Sequence, residues 1–119
     1  MAPIALKRVY DPVQAEDGTR VLVDRLWPRG LRKDKAEIDF WAKDVAPSNA
    51  LRRWFDHRPE RWEEFQKRYR AELAAPEAQP LVEAIRAMTR KGHVTLLYAA
   101  HDESMNNAVV LRDDLRKRH

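Results

Sequence analysis

A chain of 119 residues with 44% apolar and 35% charged residues has the size and composition of one globular domain with a well-solvated surface. The absence of cysteine excludes disulfides, thiolate metal sites and a cysteine nucleophile. The net charge of +4 favours an anionic partner, but the 19 acidic residues are mixed among the 23 basic ones, so charge alone names no partner.

No stretch of the chain predicts a membrane span. Apolar runs such as residues 94–100 are far shorter than the roughly 20 residues that cross a bilayer. The N-terminal residues lead directly into a strand-like pattern, without the charged leader, apolar region and cleavage site of a signal peptide. We therefore expect a cytoplasmic protein with no membrane partner.

Two strands are predicted near the N-terminus. The first covers residues 4–10 and ends at Asp11, before a proline that removes a backbone donor. The second begins near Arg20, after a turn signal at residues 16–18.

The second strand is apolar on both sides, with Val21 and Val23 facing one way and Leu22 and Leu26 the other. This pattern is typical of a strand in a parallel sheet that is covered on both faces. The nine residues 11–19 are few for a parallel crossover, however, so an antiparallel hairpin stays open as an alternative.

The middle of the chain predicts helices. Residues 31–47 fit either a short helix or an extended segment, and Ser48 then favours a helix start as an N-cap before residues 51–55. A helix over 59–74 has its aromatic and apolar residues at spacings of three and four, which indicates core contact. Another helix covers 80–91 and ends before Gly92.

Residues 94–100 are the most strand-like run and predict the central, fully buried strand. Ser104 is the predicted N-cap of a last helix. The basic residues of its tail, 112–119, complement the helix dipole.

The three predicted strands share one feature, because each changes from apolar to polar residues at its C-terminal end. In open α/β sheets, ligands bind outside the carboxyl ends of the strands. If the strands are parallel, these ends converge. The polar residues there are Arg8, Tyr10, Asp11, Asp24, Arg25, Trp27, Arg29, Tyr98, His101 and Asp102.

The charges beside the second strand have two interpretations. Asp24 can pair with Arg8 or Arg25 and simply hold the loop, because a charge near a buried sheet needs a partner. Alternatively, Arg8, Arg25 and Arg29 bind a carboxylate or phosphate, which the guanidinium geometry suits. Trp27 then adds a flat stacking wall.

Five runs and three polar residues form a specific set of motifs over nearly the whole chain. They are residues 6–11, 20–30, 46–48, 51–55 and 95–100, with Asp102, Asn106 and Asn107. Together they resemble the YeaO-like proteins of the DUF 488 superfamily. The resemblance implies a small bacterial or archaeal cytoplasmic α/β protein and brings no established activity. Longer relatives place a helix between the first two strands, which favours the parallel arrangement.

Two positions depart from the family pattern. Arg58 stands where relatives tend to carry an acidic or polar cap before the proline, and Met105 stands where a polar residue or histidine is common. Because Met105 lies at the start of the last helix, this second departure argues against assigning that helix start the role it has in relatives.

Several kinds of site are disfavoured by the motifs. The histidines and aspartates show no regular ligand spacing, so no metal site is predicted. With three glycines, neither a phosphate loop nor a dinucleotide fingerprint can be built, and no nucleophile elbow occurs. His57 fits a loop role, and it can also reach the site as an acid or base.

A second functional class comes from residues 52–62, where arginines alternate with aromatic residues as in a surface that stacks single-stranded nucleic acid. The plainer interpretation is that helical spacing buries these aromatics and leaves the arginines in solvent.

We therefore predict a single α/β domain over residues 1–119, with a small, mainly parallel sheet of three or four strands flanked by four or five helices. The predicted site binds an anionic small molecule, a nucleotide or another phosphorylated compound, at the strand ends. The alternative is a nucleic-acid- or protein-binding module that uses residues 52–62. The sequence names no reaction, cofactor or oligomeric state. The predicted catalytic residues are Asp11, Asp24 and Asp102, and the predicted ligand contacts are Arg8, Tyr10, Arg25, Trp27, Arg29, Tyr98 and Asn106.

Overall fold

The computed structural model describes residues 3–117, which form one sheet flanked by helices. The strands are β1 (Ile4–Arg8), β2 (Thr19–Leu22), β3 (Phe40–Trp41) and β4 (Val94–Tyr98). The helices are α1 (Lys33–Ala36), α2 (Asn49–Phe55), α3 (Trp62–Ala74), α4 (Gln79–Lys91) and α5 (Asn107–Arg116), with 3₁₀ turns at Ala15–Asp17, Lys43–Val45 and Pro59–Arg61. The predicted α/β fold is confirmed.

The sheet order is β1-β4-β2-β3, and every neighbouring pair is parallel. β1 and β2 lie on opposite sides of β4, where Leu6 and Val21 both align with Leu96. The hairpin alternative is therefore wrong. The short connector between β1 and β2 passes β4, which lies between them, and it contains a 3₁₀ turn but no α-helix.

β4 is the central strand that the sequence predicts, and all five of its residues are buried. In β2 and just after it, Val21, Leu22 and Val23 are buried as well, on both sides of the sheet. The expectation for Leu26 is wrong, because it is 59% exposed. The strand ends at Leu22, so the alternation of faces no longer applies to Leu26, which lies in the following loop.

The ambiguous segment 31–47 contains α1, β3 and a 3₁₀ turn. β3 adds a fourth strand through the pairs Val21–Phe40 and Leu22–Trp41. Two residues are too few for an alternation pattern, which explains why the sequence does not reveal this strand.

The predicted helices in the middle of the chain are present. Ser48 caps α2 by accepting a hydrogen bond from the Leu51 N–H at 3.1 Å. In α3, Phe65, Tyr69 and Leu73 are buried, so the aromatic stripe is core. α4 ends before Gly92 as expected, although that glycine is extended and does not use the left-handed region.

The expected cap of α5 is wrong. Asn106 is the N-cap, and its Oδ1 accepts from the Val109 N–H at 3.1 Å. Ser104 instead donates from its backbone and hydroxyl to Asp102 Oδ1. Because Asp102 organises this turn, the helix begins later. The last two residues of the predicted basic tail, 118–119, lie outside the described residues.

The amino-terminal end of the sheet is held by a buried ion cluster around Asp17. Its carboxylate lies 3.0 Å from Lys7 Nζ and 2.6 Å from the Arg20 guanidinium. Burial alone would raise the pKa of Asp17, but the Gln14 N–H and the two cations bring that pKa below 3.8. Next to it, Gly18 has φ 65, and a Cβ there would lie 2.2 Å from the His93 carbonyl oxygen. Only glycine fits this close approach.

None of the helices in the described part of the chain is long and apolar enough to span a bilayer.

Asp17→Asn should lower the free energy of unfolding by about 3 kcal/mol at neutral pH, because it leaves the buried Arg20 and the half-buried Lys7 without their carboxylate. Since the folded pKa of Asp17 is lowered, its contribution is complete above 3.8 and is lost as the pH falls through the folded value. Urea unfolding of both proteins should therefore show a difference that shrinks in acid. Asp34→Asn, at an exposed pair with Arg32, is the control and should change stability by less than about 1 kcal/mol. An equal effect of the two substitutions would contradict the structural role of Asp17.

Candidate functional site

The carboxyl ends of β2 and β4 open into a cleft of about 850 Å³. This volume lies within the range of small-molecule sites in proteins. The wall consists of Tyr10 after β1, the loop 24–29 after β2, residues 46–47 before α2, part of α2 with its following turn, and residues 99–107 after β4.

All ten predicted site residues lie in the described part of the chain, and seven of them line this cleft. Those in the wall are Tyr10, Asp24, Arg25, Trp27, Arg29, Asp102 and Asn106. Arg8, Asp11 and Tyr98 are not part of it. Asp11 is exposed elsewhere on the surface, and Tyr98 is buried in β4.

Arg8 lies behind the wall and holds it in place. Its Nε donates to the Ala100 carbonyl and its Nη2 to the Ala99 carbonyl, both at 3.0 Å. Its guanidinium also lies over the Tyr10 ring, 5.2 Å from the ring centroid. The donors that the sequence assigns to a ligand therefore orient the chain that leaves β4.

Arg25 does the same on the opposite wall, although it also lines the cleft. Its Nε donates to the Pro47 carbonyl at 3.1 Å and its Nη2 to the Ala46 carbonyl at 2.9 Å. Nη1 lies 3.6 Å from the exposed Asp44 carboxylate. Two of the three guanidinium nitrogens are thus used in holding residues 46–47.

Helix α3 fixes the same segment from behind. The buried Tyr69 hydroxyl donates to the Val45 carbonyl at 2.7 Å. Glu72 accepts from the Ser48 N–H at 2.8 Å and from the Ser48 hydroxyl at 2.6 Å. Because Ser48 also caps α2, these contacts determine where α2 begins and where its Arg52 meets the cleft.

Asp24 connects the ends of three strands at the base of the site. Its Oδ2 accepts from the Ala99 N–H at 2.9 Å and its Oδ1 from Asn107 Nδ2 at 3.2 Å. Its backbone carbonyl accepts from Trp41 Nε1 at 2.8 Å. Burial raises the pKa of Asp24 above 3.8, although the hydrogen bonds from the Ala99 N–H and from Asn107 Nδ2 and the charge of Arg52 act against the increase.

The predicted pairing of Asp24 with Arg8 or Arg25 is wrong, since neither arginine forms an ion pair with it among residues 3–117. Both guanidinium groups donate to main-chain carbonyls instead. Asn107, which the sequence does not select as a site residue, takes the place of the cation. Its position beside Asn106 in the family motif is the signal that could have identified it.

Asp102 accepts three hydrogen bonds at one oxygen and so organises the turn before α5. The Met105 N–H and the Ser104 N–H donate to its Oδ1 at 2.9 Å, and they lower the pKa of the Asp102 carboxyl below 3.8. Asn106 Nδ2 donates to the Asp102 carbonyl at 2.8 Å. A carboxylate with a lowered pKa is a weak general base.

Trp27 lines the cleft and is also tied to the protein. Its Nε1 donates to the Leu31 carbonyl at 2.7 Å, and its ring packs edge-on against Trp41 at 5.4 Å. These contacts fix the orientation of the ring, so Trp27 forms a rigid part of the cleft wall.

Arg52, His57 and His101 complete the polar part of the wall. Arg52 donates to Asn49 at 3.1 Å and lies outside the predicted site residues. Asp56 and His57 both adopt left-handed backbone conformations, with φ of 48° and 53°. This conformation costs roughly 1–3 kcal/mol for each such non-glycine residue, and no pattern in the sequence announces it.

The Arg/Trp segment, residues 52–62, uses its aromatic faces within the protein. The Trp54 ring has the Arg68 guanidinium 4.2 Å and the Arg61 guanidinium 5.2 Å from its centroid. Arg61 also donates to the Trp54 carbonyl. Trp62 stacks on Phe65 at 5.6 Å.

Within residues 3–117, no group of three or more histidine, aspartate or glutamate side chains is placed to hold a metal ion.

Comparison with known proteins assigns the chain to a family. The model of the family described as the inactive DUF488-N3 subclade matches residues 3–119. The chain belongs to this subclade of the DUF488 proteins.

Its DUF488 relatives include uncharacterized protein Rv3073c of Mycobacterium tuberculosis, 43% identical over 115 residues, which are 97% of this chain and 95% of the relative. Uncharacterized protein YeaO of Escherichia coli is 42% identical over 113 residues, or 95% of this chain and 96% of the relative. No solved structure matches the chain significantly. The predicted resemblance to YeaO-like proteins is confirmed.

Arg25→Met should lower the free energy of unfolding by about 1.5–3 kcal/mol, because it removes two charge-assisted hydrogen bonds to the wall at residues 46–47 while keeping an apolar stem. Arg53→Met is the matched control, since Arg53 is exposed on α2 and the charge change is identical. We expect the free energy of unfolding of the control to lie within about 0.5 kcal/mol of the wild-type value. Urea unfolding measures both, and equal stabilities for the two variants would contradict a wall-holding role for Arg25.

Proposed function

We propose that the cleft binds an anionic small molecule, a nucleotide or another phosphorylated compound, with Arg29 and Arg52 as its anion contacts. The observation that carries this proposal is the combination of cationic side chains with a cleft of small-molecule size at the carboxyl ends of parallel strands. His57 and His101 supply further hydrogen-bonding groups in the same wall.

Arg8 and Arg25 act through the walls in this proposal. Their guanidinium groups hold residues 99–100 and 46–47, so the cleft keeps its shape before a ligand enters. A preformed cleft favours affinity, because less conformational entropy is lost on binding.

We propose binding without turnover. Of the predicted catalytic carboxylates, Asp11 lies outside the cleft, Asp102 organises a turn, and Asp24 holds the start of the chain after β4. The description of the family as inactive agrees with this form of the proposal. We also propose a cytoplasmic location, which the cysteine-free composition supports.

Arg52→Gln should weaken the binding of phosphorylated ligands by about tenfold or more, because it removes a charge-assisted contact to the anion. Isothermal titration of the wild type with ribose 5-phosphate and nucleoside monophosphates measures the effect. Arg53→Gln is the matched control, since it removes the same charge from the neighbouring position on α2, outside the cleft wall. The absence of binding to the wild type, or an equal loss in both variants, would contradict the proposed site.

The alternative, a nucleic-acid-binding surface at residues 52–62, has less support. A base that stacked on Trp54 would have to displace Arg61 and Arg68 from the ring, and Trp62 is packed against Phe65.

We therefore expect a single-stranded oligonucleotide to bind no more tightly than its mononucleotide. Fluorescence anisotropy at about 50 mM and about 200 mM salt tests this, since contacts to several phosphates lose orders of magnitude in affinity over that range. Tight oligonucleotide binding with a steep salt dependence would favour the alternative over the cleft.

A further inference from the structure

Two opposite charges line the cleft without neutralising each other. Asp24 and Arg52 are both part of its wall, and among residues 3–117 they form no ion pair within 4.0 Å. Arg52 instead bonds Asn49, and Asp24 bonds Ala99 and Asn107. Asp24 is half-buried and has hydrogen-bond partners of its own, while Arg52 is exposed, so each of the two can take a different group of one ligand.

Asp24 keeps acceptor capacity towards the cleft. A carboxylate has about four acceptor positions on its two oxygens. The protein fills one on each oxygen, through the Ala99 N–H and Asn107 Nδ2. The positions that remain suit N–H and O–H donors, and the negative charge repels a second carboxylate or a phosphate.

The remaining wall is largely apolar and suits a flat ring. Trp27, Pro28, Phe55 and Met105 line the cleft, and Leu26 at the same wall is 59% exposed. An apolar side chain so exposed at a cleft gains from being covered. At about 850 Å³, the cleft is also much larger than a bare phosphate needs.

Resting on the proposed function, we infer that the ligand is a nucleotide whose base donates N–H groups to Asp24 while its phosphate binds Arg52. Such a base has flat apolar faces for the apolar side chains of the wall, which include Phe55 and Met105, together with edge donors for the carboxylate. Sugar phosphates have hydroxyl donors but lack a flat apolar ring to cover the wall, and dicarboxylates place an acceptor against Asp24.

The first experiment uses the wild type alone, so it does not depend on the folding of a variant. Isothermal titration with guanosine monophosphate, guanosine, ribose 5-phosphate and inorganic phosphate separates the base from the anion. We expect the nucleotide to bind at least about tenfold more tightly than ribose 5-phosphate or guanosine, since each lacks one charge-assisted contact.

The outcomes distinguish this inference from the proposed function. Equal binding of the nucleotide and ribose 5-phosphate would overturn the inference and leave the anion site standing. Equal binding of the nucleotide and guanosine would overturn the anion site and the phosphate contact of the inference, and would leave only the contact between the base and Asp24. No binding of any phosphorylated probe would overturn both.

The second experiment tests Asp24 directly. Asp24→Asn should weaken the binding of guanosine monophosphate by about 10- to 100-fold, because it removes the charged acceptor. The binding of ribose 5-phosphate should stay unchanged or become slightly tighter. Asp44→Asn is the matched control, since it removes the same charge near the wall at residues 46–47 without lining the cleft. Tighter binding of both ligands to Asp24→Asn would show that Asp24 only repels the phosphate, and would overturn the inference.

Discussion

The burial of β4 on both faces imposes the positions of the other strands and of the helices. A strand with no exposed residue must have neighbours on both edges and helices on both faces, so β1 and β2 have to lie on either side of it. Both pair with it in parallel, which brings the carboxyl ends of all three strands to one edge. The short connector between β1 and β2 is compatible with this parallel arrangement, because only β4 lies between the two strands.

The charged residues at this edge first serve the backbone. Chain segments that leave a sheet have carbonyl and amide groups that need partners, and here arginine and aspartate side chains provide them. Arg8 and Asp24 bond the chain after β4, while Arg25 bonds the segment before α2. As a result, side chains at or just after the ends of β1 and β2 hold both walls of the cleft in place.

This division of roles leaves a different set of groups for a ligand. Arg29, Arg52, His57 and His101 line the cleft beside an apolar wall, and Asp24 combines both roles because its oxygens have more acceptor positions than the protein fills. The strained turn at Asp56 and His57 lies at the same place. Local strain of this kind is common at binding sites, where the surrounding structure holds it.

Sequence patterns were enough to predict the α/β class, the central strand, the main helices and the edge of the sheet where the polar residues meet. These features depend on local periodicity and on the position of polar residues along each strand, which a sequence displays directly. Other features follow from contacts between distant segments: Arg8 and Arg25 bond carbonyls, Asn107 is the partner of Asp24, and Arg52 reaches the cleft. The short strand β3 and the Asn106 cap also depend on partners distant in the chain or on competing local hydrogen bonds. An arginine guanidinium can donate to a carbonyl as well as to a phosphate, so an arginine in the sequence does not reveal which of the two it binds. The answer depends on which segments the fold places within reach of the side chain.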